Sequence, residues 1–250
     1  MKDMKDKNTP NTIPLVLIRH AQSQWNKENR FTGWTDVPLT DAGVAEAKKA
    51  GDLLKSHGFE FDTAWTSVLQ RARITMEILL GTNGQLHIPQ YQDWRLNERH
   101  YGALQGKDKA EAMAIAGEAQ VHRWRRGYQD RAEAVSQDDP SHPYNDPQYQ
   151  GISKDLLPDG VESLADTRVR VVDCWQEKIL PQIKQGQRLL ISAHGNSLRA
   201  LMMELEGMSV EEIEKFEIPT ATPILYLFDK NGQPQGWHYL DKDAEQTRSA

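Results

Sequence analysis

Two short apolar runs that each end in a histidine constrain the fold of this chain more than any other feature. The first is Leu15-Val16-Leu17-Ile18-Arg19-His20, and the second is Leu189-Leu190-Ile191-Ser192-Ala193-His194-Gly195-Asn196. Each run has the length and composition of a buried strand and leads through a loop into a helical pattern. Because ligands bind beyond the carboxyl ends of strands in open α/β sheets, we predict that His20 and His194 share one site at that edge.

The composition limits the class of protein. The chain has 250 residues, 38% hydrophobic and 26% charged, which is typical of a soluble globular protein. No apolar run approaches the ~18 residues of a membrane span, and the charged N-terminus lacks the apolar segment of a signal peptide. The net charge of −6 disfavours broad binding to nucleic acid or anionic membranes. The single cysteine, Cys174, lies in a helical apolar pattern, which indicates packing and a reducing, cytoplasmic location.

Strand and helix patterns alternate along the chain as they do in repeated βα units. We predict a disordered extension over residues 1–12, one domain over 13–240 and a flexible tail over 241–250. The predicted fold class is α/β, a three-layer αβα single domain whose mostly parallel sheet is flanked by helices. The segment 128–158 is rich in proline and polar residues, which indicates a long loop of the kind that often covers an active site.

Local signals place the individual elements. Thr40 is predicted to cap a helix over 41–56, Ser67 to cap the next helix, and Asn231-Gly232 to turn a terminal hairpin. The same patterns predict that Pro181 ends or kinks the helix in which it lies. The other predicted elements are strands at 61–66, 86–88, 224–228 and 237–240, and helices over 108–126, 161–185 and 197–205.

A cation and hydrogen-bond donors surround the first histidine. Arg19 precedes His20, and Ser23 and Asn26 follow it where the chain turns towards a helix. N–H groups at helix starts attract anions, arginine binds phosphate through two donors, and imidazole is a nucleophile. A single histidine after a strand is more often structural, but these neighbours favour phosphoryl transfer to imidazole.

The second histidine has similar surroundings. Gly195 lets the backbone approach a ligand closely, whereas Asn196 and Ser197 suit either ligand binding or simple helix capping. Arg71 lies in the first turn of a predicted helix, where a cation calls for an anionic partner. The alternative for Arg71 is an ordinary surface arginine.

Three further candidates have weaker local signals. Glu98 lies in a polar segment without a clean helical or strand period, where a carboxyl group could serve as a general acid or base. Arg125 and Arg126 diverge on a helix by about 100° and reach one site only if the helix ends at Gly127. Taken separately, all three would be surface residues.

In six stretches the chain resembles the cofactor-dependent phosphoglycerate mutases, a branch of the histidine phosphatase superfamily. The Arg-His opening and the distal His-Gly pair mark only the superfamily, whereas the blocks around Glu98 and Arg125 are narrower and point to the mutase branch. The stretches follow the family order and are Arg19-His20-x-x-Ser23 with Trp25 to Trp34, Thr66-Ser67-x-Leu69-x-Arg71-Ala72, Leu96 to Gly106, Trp124-Arg125-Arg126-Gly127, Glu162-Ser163-Leu164, and Ala193 to Ala200.

The resemblance implies a role for each candidate residue. His20 would be the phosphorylated nucleophile and Glu98 the acid/base. The phosphate pocket around the nucleophile would be completed by Arg19, Arg71 and His194. The substrate's phosphate and carboxylate would be held by Ser23, Asn26, Thr32, Gly33, Tyr101, Lys109, Arg125, Arg126, Gly195 and Asn196.

The implied reaction interconverts 2- and 3-phosphoglycerate in glycolysis and gluconeogenesis through a phosphohistidine and bound 2,3-bisphosphoglycerate. 2,3-Bisphosphoglycerate is also the implied cofactor, because it primes the enzyme, and no metal is required. The implied partner is therefore a small phosphorylated three-carbon acid, with neither nucleic acid nor membrane involved. Members of the family often form dimers or tetramers, so we expect a homo-oligomer and favour a dimer.

One departure from the family lies beside the nucleophile. The family usually has Arg-His-Gly-Glu-Ser, whereas this chain has Arg19-His20-Ala21-Gln22-Ser23. A positive φ would strain alanine, so we predict a negative φ at Ala21 and retained activity.

Two other functions remain open on the sequence. A phosphohydrolase of the same superfamily would use His20 in the same way but release the phosphoryl group to water. A non-catalytic phosphometabolite-binding relative would be disabled by Ala21 and Gln22. A metal hydrolase is the third class considered, but neither a His-Glu-x-x-His motif nor paired Cys/His spacing is present among the eight histidines and one cysteine.

Overall fold

A seven-stranded mixed sheet forms the centre of the computed structural model, which describes residues 12–241 and 247–248. Its strands are β1 (Ile13–Arg19), β2 (Thr63–Thr66), β3 (Gln90–Gln92), β4 (Leu189–Ala193), β5 (Ile224–Phe228), β6 (Pro234–Tyr239) and β7 (Thr247–Arg248). They lie in the order β3-β2-β4-β1-β5-β6-β7. The first four strands in this order are parallel, and the last three continue the sheet in antiparallel fashion.

Helices connect the strands and cover both faces of the sheet. In chain order they are α1 (Gln24–Lys27), α2 (Asp41–Ser56), α3 (Gln70–Thr82), α4 (Lys109–Ala116), α5 (Glu118–Arg126), α6 (Leu164–Cys174), α7 (Leu180–Lys184), α8 (Gly195–Glu206) and α9 (Val210–Lys215). A π-helical segment, Trp175–Ile179, joins α6 to α7. Single 3₁₀ turns lie at Trp94–Leu96, Gly102–Leu104 and Pro147–Tyr149.

The alternation of side chains along β1 divides the core into two layers. Leu15 and Leu17 are fully buried on one face, against residues of α6, α8 and the π-helical segment. Val16 and Ile18 are equally buried on the other face, against residues of α2 and α3. Successive strand residues point to opposite faces, so a run without polar interruptions requires cover on both sides. The predicted three-layer αβα arrangement is confirmed.

The pairing of β1 with β4 brings the two histidine runs together. The strands are parallel, with Leu15 opposite Leu189 and Arg19 opposite Ala193. Both runs therefore end at the same edge of the sheet. The backbone N–H of His20 donates to the carbonyl of Ala193 at 2.9 Å, which continues the ladder one residue further. The predicted meeting of the two strand ends is confirmed.

Several local predictions are confirmed where a cap or turn residue acts on its own segment. The Thr40 side chain accepts the backbone N–H of Gly43, and α2 covers the predicted residues. The strands β5 and β6 form the predicted antiparallel hairpin. The loop over 128–158 contains one short 3₁₀ turn as its regular structure.

Other boundaries differ from the prediction. The short strand β3 lies beyond Ile88, which is itself buried in the core next to α3. Leu69, not Ser67, is the N-cap of α3, and the Ser67 hydroxyl accepts the Leu69 N–H and also contacts His194 Nε2 at 2.7 Å. The predicted helix over 108–126 is divided at Gly117, which has φ 84°. The long helix begins at Leu164 and accommodates Pro181 behind the π-helical segment without ending there.

The two ends of the chain lie largely outside the described residues. The predicted disordered extension over 1–12 falls there except for Thr12. Within the predicted tail, Thr247–Arg248 form β7 and pair with β6. Among the helices of residues 12–241, none combines the length and the apolar character needed to cross a membrane.

Gly43 gives a test of how tightly α2 packs against the loop after His20. A Cβ at Gly43 would lie 2.1 Å from the backbone oxygen of Gln22. We expect Gly43→Ala to lower the free energy of unfolding by about 1–3 kcal/mol, measured by urea denaturation, because a backbone atom cannot rotate away. Gly81 in α3 is the control, since its Cβ would meet only the Leu86 side chain at 3.5 Å. Equal losses in both variants would contradict this explanation.

Candidate active site

His20 follows β1 directly, and its ring orientation is fixed by a hydrogen bond. Its Nδ1 lies 2.8 Å from the backbone oxygen of Ala21. A carbonyl oxygen only accepts, so Nδ1 carries the proton and Nε2 keeps its lone pair. Burial, together with the positive charges of Arg71 and Arg19, holds the pKa of His20 well below its usual value. The imidazole is therefore neutral at pH 7 and has the form of a nucleophile.

His194 lies beside His20, with the ring centroids 5.0 Å apart. Its Nε2 is 2.7 Å from the hydroxyl of Ser67, which itself accepts the backbone N–H of Leu69 at 3.2 Å. Burial and the charge of Arg71 hold the pKa of His194 well below its usual value, so this ring is neutral as well. If Ser67 donates to Nε2, the single ring proton is on Nδ1, which is buried and has no partner among the described residues.

Two arginines, the fully buried Arg71 and the partly buried Arg19, complete the surroundings of the nucleophile. The Nη atoms of Arg71 donate to the backbone oxygens of Thr35 and Gly33 at 3.0 and 2.7 Å. Nη1 of Arg19 donates to the backbone oxygen of Ile218 at 2.9 Å. Burial lowers the pKa of Arg71 to about 10, which still leaves it charged at neutral pH. The Nε atoms of both arginines are buried and have no acceptor within the described part of the chain, which suits a phosphoryl group.

Glu98 adds a carboxylate to the same site. It is 8% exposed, and its Oε1 accepts the backbone N–H groups of Arg99 at 2.8 Å and Asn196 at 3.1 Å. Its Oε2 lies 3.7 Å from the place that a Cβ on Gly195 would occupy. The start of α8 therefore lies close to the carboxylate, at a distance that would still admit a Cβ in ordinary van der Waals contact. One oxygen is held by the backbone, and the other is positioned to exchange a proton with a ligand.

A cavity of about 180 Å³ lies against these groups. It is smaller than the ~300–1,000 Å³ typical of ligand pockets, so it suits a small ligand. Most of the predicted site residues line it, namely Arg19, His20, Asn26, Thr32, Gly33, Arg71, Glu98, Tyr101, Lys109, Arg125, Arg126, Gly195 and Asn196. A larger groove of about 950 Å³ beside α6 contains neither histidine, so we assign the site to the smaller cavity.

Two predicted site residues do not line the cavity. His194 lies behind the wall, next to His20. Ser23 is fully buried, and its hydroxyl lies 2.9 Å from the Asn26 side chain as the N-cap of α1. Ser23 therefore orients Asn26 and does not itself reach a ligand. For Ser197 the capping alternative is the observed one, because its hydroxyl accepts the backbone N–H of His194 at 3.1 Å.

A second group of cations lies on α4 and α5. Lys109 begins α4, and its Nζ donates to the backbone oxygen of Arg30 at 2.8 Å. Burial, followed by the charge of Arg125, lowers the pKa of Lys109 to about 8. Arg125 and Arg126 both line the cavity because α5 ends at Gly127, as the sequence requires for this pair. We call Lys109, Arg125 and Arg126 the outer cations.

Four residues of the wall were not predicted as site residues: Arg30, Phe31, Arg199 and Glu217. Arg30 and Phe31 directly precede Thr32 in one of the recognised stretches, so their position was a usable signal. Arg199 follows Asn196 by three residues on α8, and its Nη1 donates to the Asn196 side-chain oxygen at 2.8 Å. Glu217 has no signal in the sequence, because only the tertiary structure brings it to the wall.

Ala21 and Gln22, the two residues that depart from the family pattern beside the nucleophile, are accommodated without backbone strain. In the described residues, the non-glycine positions with positive φ are Asn29 and Ala221, so the predicted negative φ at Ala21 is confirmed, whereas retained activity stays a prediction. The Ala21 N–H donates to the Thr75 hydroxyl at 3.1 Å. The Gln22 side-chain oxygen accepts the hydroxyl of the threonine that caps α2, at 2.8 Å.

Comparison with known families identifies the family of this chain. The family model of the Histidine phosphatase superfamily (branch 1) matches residues 15–139 and 136–237 of the chain. The two matches together span both histidine runs, Glu98 and the outer cations.

Solved structures with the same fold include several phosphatases. YhfR of Bacillus stearothermophilus is 25% identical, with a TM-score of 0.68, over 94% of this chain and 98% of that one. An Escherichia coli K-12 protein provisionally assigned as an alpha-ribazole-5'-P phosphatase is 22% identical, with a TM-score of 0.69, over 95% and 100%. A mycobacterial glucosyl-3-phosphoglycerate phosphatase is 22% identical, with a TM-score of 0.64, over 91% and 97%.

Ser67→Ala tests whether this hydroxyl fixes the tautomer of His194. Without it, we expect the ¹⁵N NMR signals of the His194 ring to report a mixture of tautomers, and inorganic phosphate to bind about three- to tenfold more weakly. Ser192→Ala is the matched control, because Ser192 is also fully buried but donates to the backbone of Ala72 at 2.9 Å. An unchanged ring spectrum in Ser67→Ala would refute the assignment.

The lowered pKa of Lys109 predicts a pH-dependent affinity for anions. Lys109 is charged below its pKa of about 8 and neutral above it, whereas a bound anion restores the charge. The Kd for 3-phosphoglycerate should therefore rise about tenfold between pH 7 and pH 9, measured by calorimetry. Lys109→Arg keeps the charge across this range and should remove the rise. A rise that persists in Lys109→Arg would have to come from another group.

Proposed function

Because the chain belongs to branch 1 of the histidine phosphatase superfamily, we propose that it transfers phosphoryl groups through a covalent intermediate on His20. We further propose that its reaction is the interconversion of 2- and 3-phosphoglycerate. The observation that carries the second step is the group of outer cations, Lys109, Arg125 and Arg126, in the same cavity as the nucleophile.

The first half of the proposed reaction uses phosphorylated His20. The substrate's free hydroxyl attacks the phosphorus, an O–P bond forms and the bond from phosphorus to Nε2 breaks. Glu98 Oε2 takes the proton of the hydroxyl. The buried donors of Arg19, Arg71 and His194 stabilise the charge on the moving phosphoryl group, where fixed donors act most strongly.

The second half reverses these steps at the other phosphate. Nε2 of His20 attacks its phosphorus, the bond to the carbon-bound oxygen breaks, and Glu98 returns the proton to that oxygen. Between the two halves, the bound bisphosphate must reorient in the cavity, so that its other phosphate faces His20, without dissociating. This is why a mutase needs cations beyond the phosphoryl pocket, and the outer cations meet that need by holding the substrate's carboxylate and second phosphate.

The proposed cofactor is 2,3-bisphosphoglycerate, which when bound supplies the phosphoryl group that loads His20. The site fits it, because the unpartnered Nε donors of Arg19 and Arg71 suit one phosphate and the outer cations suit the rest. The charged groups of the proposed reaction are side chains of the protein, and no metal takes part. A chelator should therefore leave the rate unchanged.

A second candidate function is phosphate-monoester hydrolysis by the same nucleophile. It is favoured by the phosphatases among the structures with this fold. Glu98 would then take a proton from water, and the phosphoryl group would leave as inorganic phosphate. Both functions include the attack of His20 on a phosphate ester, and they differ in whether a substrate hydroxyl or water then accepts the phosphoryl group from His20.

The deciding experiment is to incubate the protein with 3-phosphoglycerate, with and without 2,3-bisphosphoglycerate, and to measure both 2-phosphoglycerate and free phosphate. We expect 2-phosphoglycerate to form at least about 100-fold faster than phosphate, and the bisphosphate to be needed for full rate. His20→Ala should abolish both products and the acid-labile phosphoenzyme. Release of phosphate that outruns isomerisation would assign the hydrolase instead, and label that persists in His20→Ala would place the nucleophile elsewhere.

A further inference from the structure

Glu217 is a carboxylate in a wall otherwise dominated by cations. It lies between α9 and β5, in a segment that nothing in the sequence singled out. Its carboxylate contacts Nη2 of Arg126, one of the outer cations, in an ion pair. The Glu217 side chain is 69% exposed and that of Arg126 is 20% exposed. The protein thus places its own anion on a guanidinium that the substrate also needs.

The backbone around this ion pair is fixed on both sides. The Tyr239 hydroxyl donates to the backbone oxygen of Glu217 at 3.1 Å. The residue after Glu217, Ile218, accepts Nη1 of Arg19 at 2.9 Å. The backbone oxygen of Arg126 accepts Nη2 of Arg199 at 3.2 Å. The ion pair can therefore be broken by rotation of the exposed Glu217 side chain alone, without movement of the wall.

We propose that Glu217 is a specificity-determining residue that occupies Arg126 in the free protein and must be displaced by the outer anionic group of the substrate. The carboxylate of Glu217 and the carboxylate of a ligand bind a guanidinium in the same way, so they compete for Arg126. An exposed ion pair contributes little stability, which keeps this exchange easy. A ligand with a single phosphate gains nothing at Arg126, because it reaches only the inner donors beside His20.

The consequence is a selection between classes of ligand. Glu217 weakens the binding of ligands that carry two anionic groups and keeps Arg126 from recruiting unrelated anions to the rim. It also speeds the release of product, because the carboxylate returns to Arg126 as the ligand leaves. This inference rests on the proposed function, since it takes the substrate to be a phosphorylated acid.

The test compares two ligands and two variants by isothermal titration calorimetry. In Glu217→Gln, we expect the Kd for 3-phosphoglycerate to fall about three- to fivefold, and the Kd for inorganic phosphate to change less than about twofold. Glu177→Gln is the matched control, because Glu177 is 61% exposed and pairs with Arg95, which is 15% exposed, away from the cavity. The control should change neither Kd.

The outcomes separate the explanations. Tighter binding of both ligands in Glu217→Gln, or the same change in Glu177→Gln, would mean a general effect of net charge and would overturn the proposal. Weaker binding of 3-phosphoglycerate would also overturn it, because Glu217 would then orient Arg126 for the substrate. In an Arg126→Gln background, Glu217→Gln should have no further effect, and a remaining effect would contradict the competition.

Failure of the proposed function would be recognised separately. If the wild-type protein binds inorganic phosphate but not 3-phosphoglycerate, the assigned substrate is wrong. Pyrophosphate, which also carries two anionic groups, then replaces 3-phosphoglycerate in the same comparison. A three- to fivefold fall in its Kd would still support the competition at Arg126, and an unchanged Kd would refute it.

Discussion

The buried ion pair between Arg170 and Glu162 holds in place the part of the site with the least regular structure. Nε and Nη2 of Arg170 donate to the two Glu162 oxygens at 2.6 and 2.8 Å. The same guanidinium donates to three backbone oxygens, those of Arg95, Asn97 and Glu98. Breaking a buried pair by removing one partner costs about 3–5 kcal/mol. The position of the Glu98 carboxylate therefore depends on two residues that never touch the cavity.

Elsewhere in the site, burial sets the protonation state of the histidines, and hydrogen bonds to backbone oxygens offset the desolvation cost of the arginines. Burial keeps His20 and His194 neutral, so one is available to attack and the other to donate a proton in a hydrogen bond. The Nη atoms of the fully buried Arg71 and the partly buried Arg19 donate to carbonyl oxygens of loops, which offsets the cost of removing these charges from water. Their Nε atoms are left for the ligand. Each of these arginines is thus hydrogen-bonded to a loop, and the same hydrogen bonds hold the loop in position.

The solved structures that share this fold include phosphatases, so the fold alone leaves the activity of this chain open. The proposed mutase reaction places its own demand on the far side of the cavity, which must retain an intermediate with two phosphates. Here that side carries the outer cations, and Glu217 limits one of them. The proposed competition between Glu217 and the substrate for Arg126 affects both the affinity for substrate and the release of product. Glu217 lies in a loop that also accepts a hydrogen bond from Arg19.

The sequence by itself determined the elements whose signals are local. Periodicity, caps and turns predicted α2, the final hairpin and the two strands that end in histidine, and their chemistry predicted a phosphoryl-binding edge. Signals of the same kind misplaced β3 and made Ser67 a helix cap, because periodicity does not report partners distant in sequence. Only the tertiary structure decided that Ser67 orients His194, that Ser23 supports Asn26 from behind, and that Glu217 reaches Arg126. Such contacts depend on how loops pack across the sheet edge, and no spacing along the chain encodes that packing.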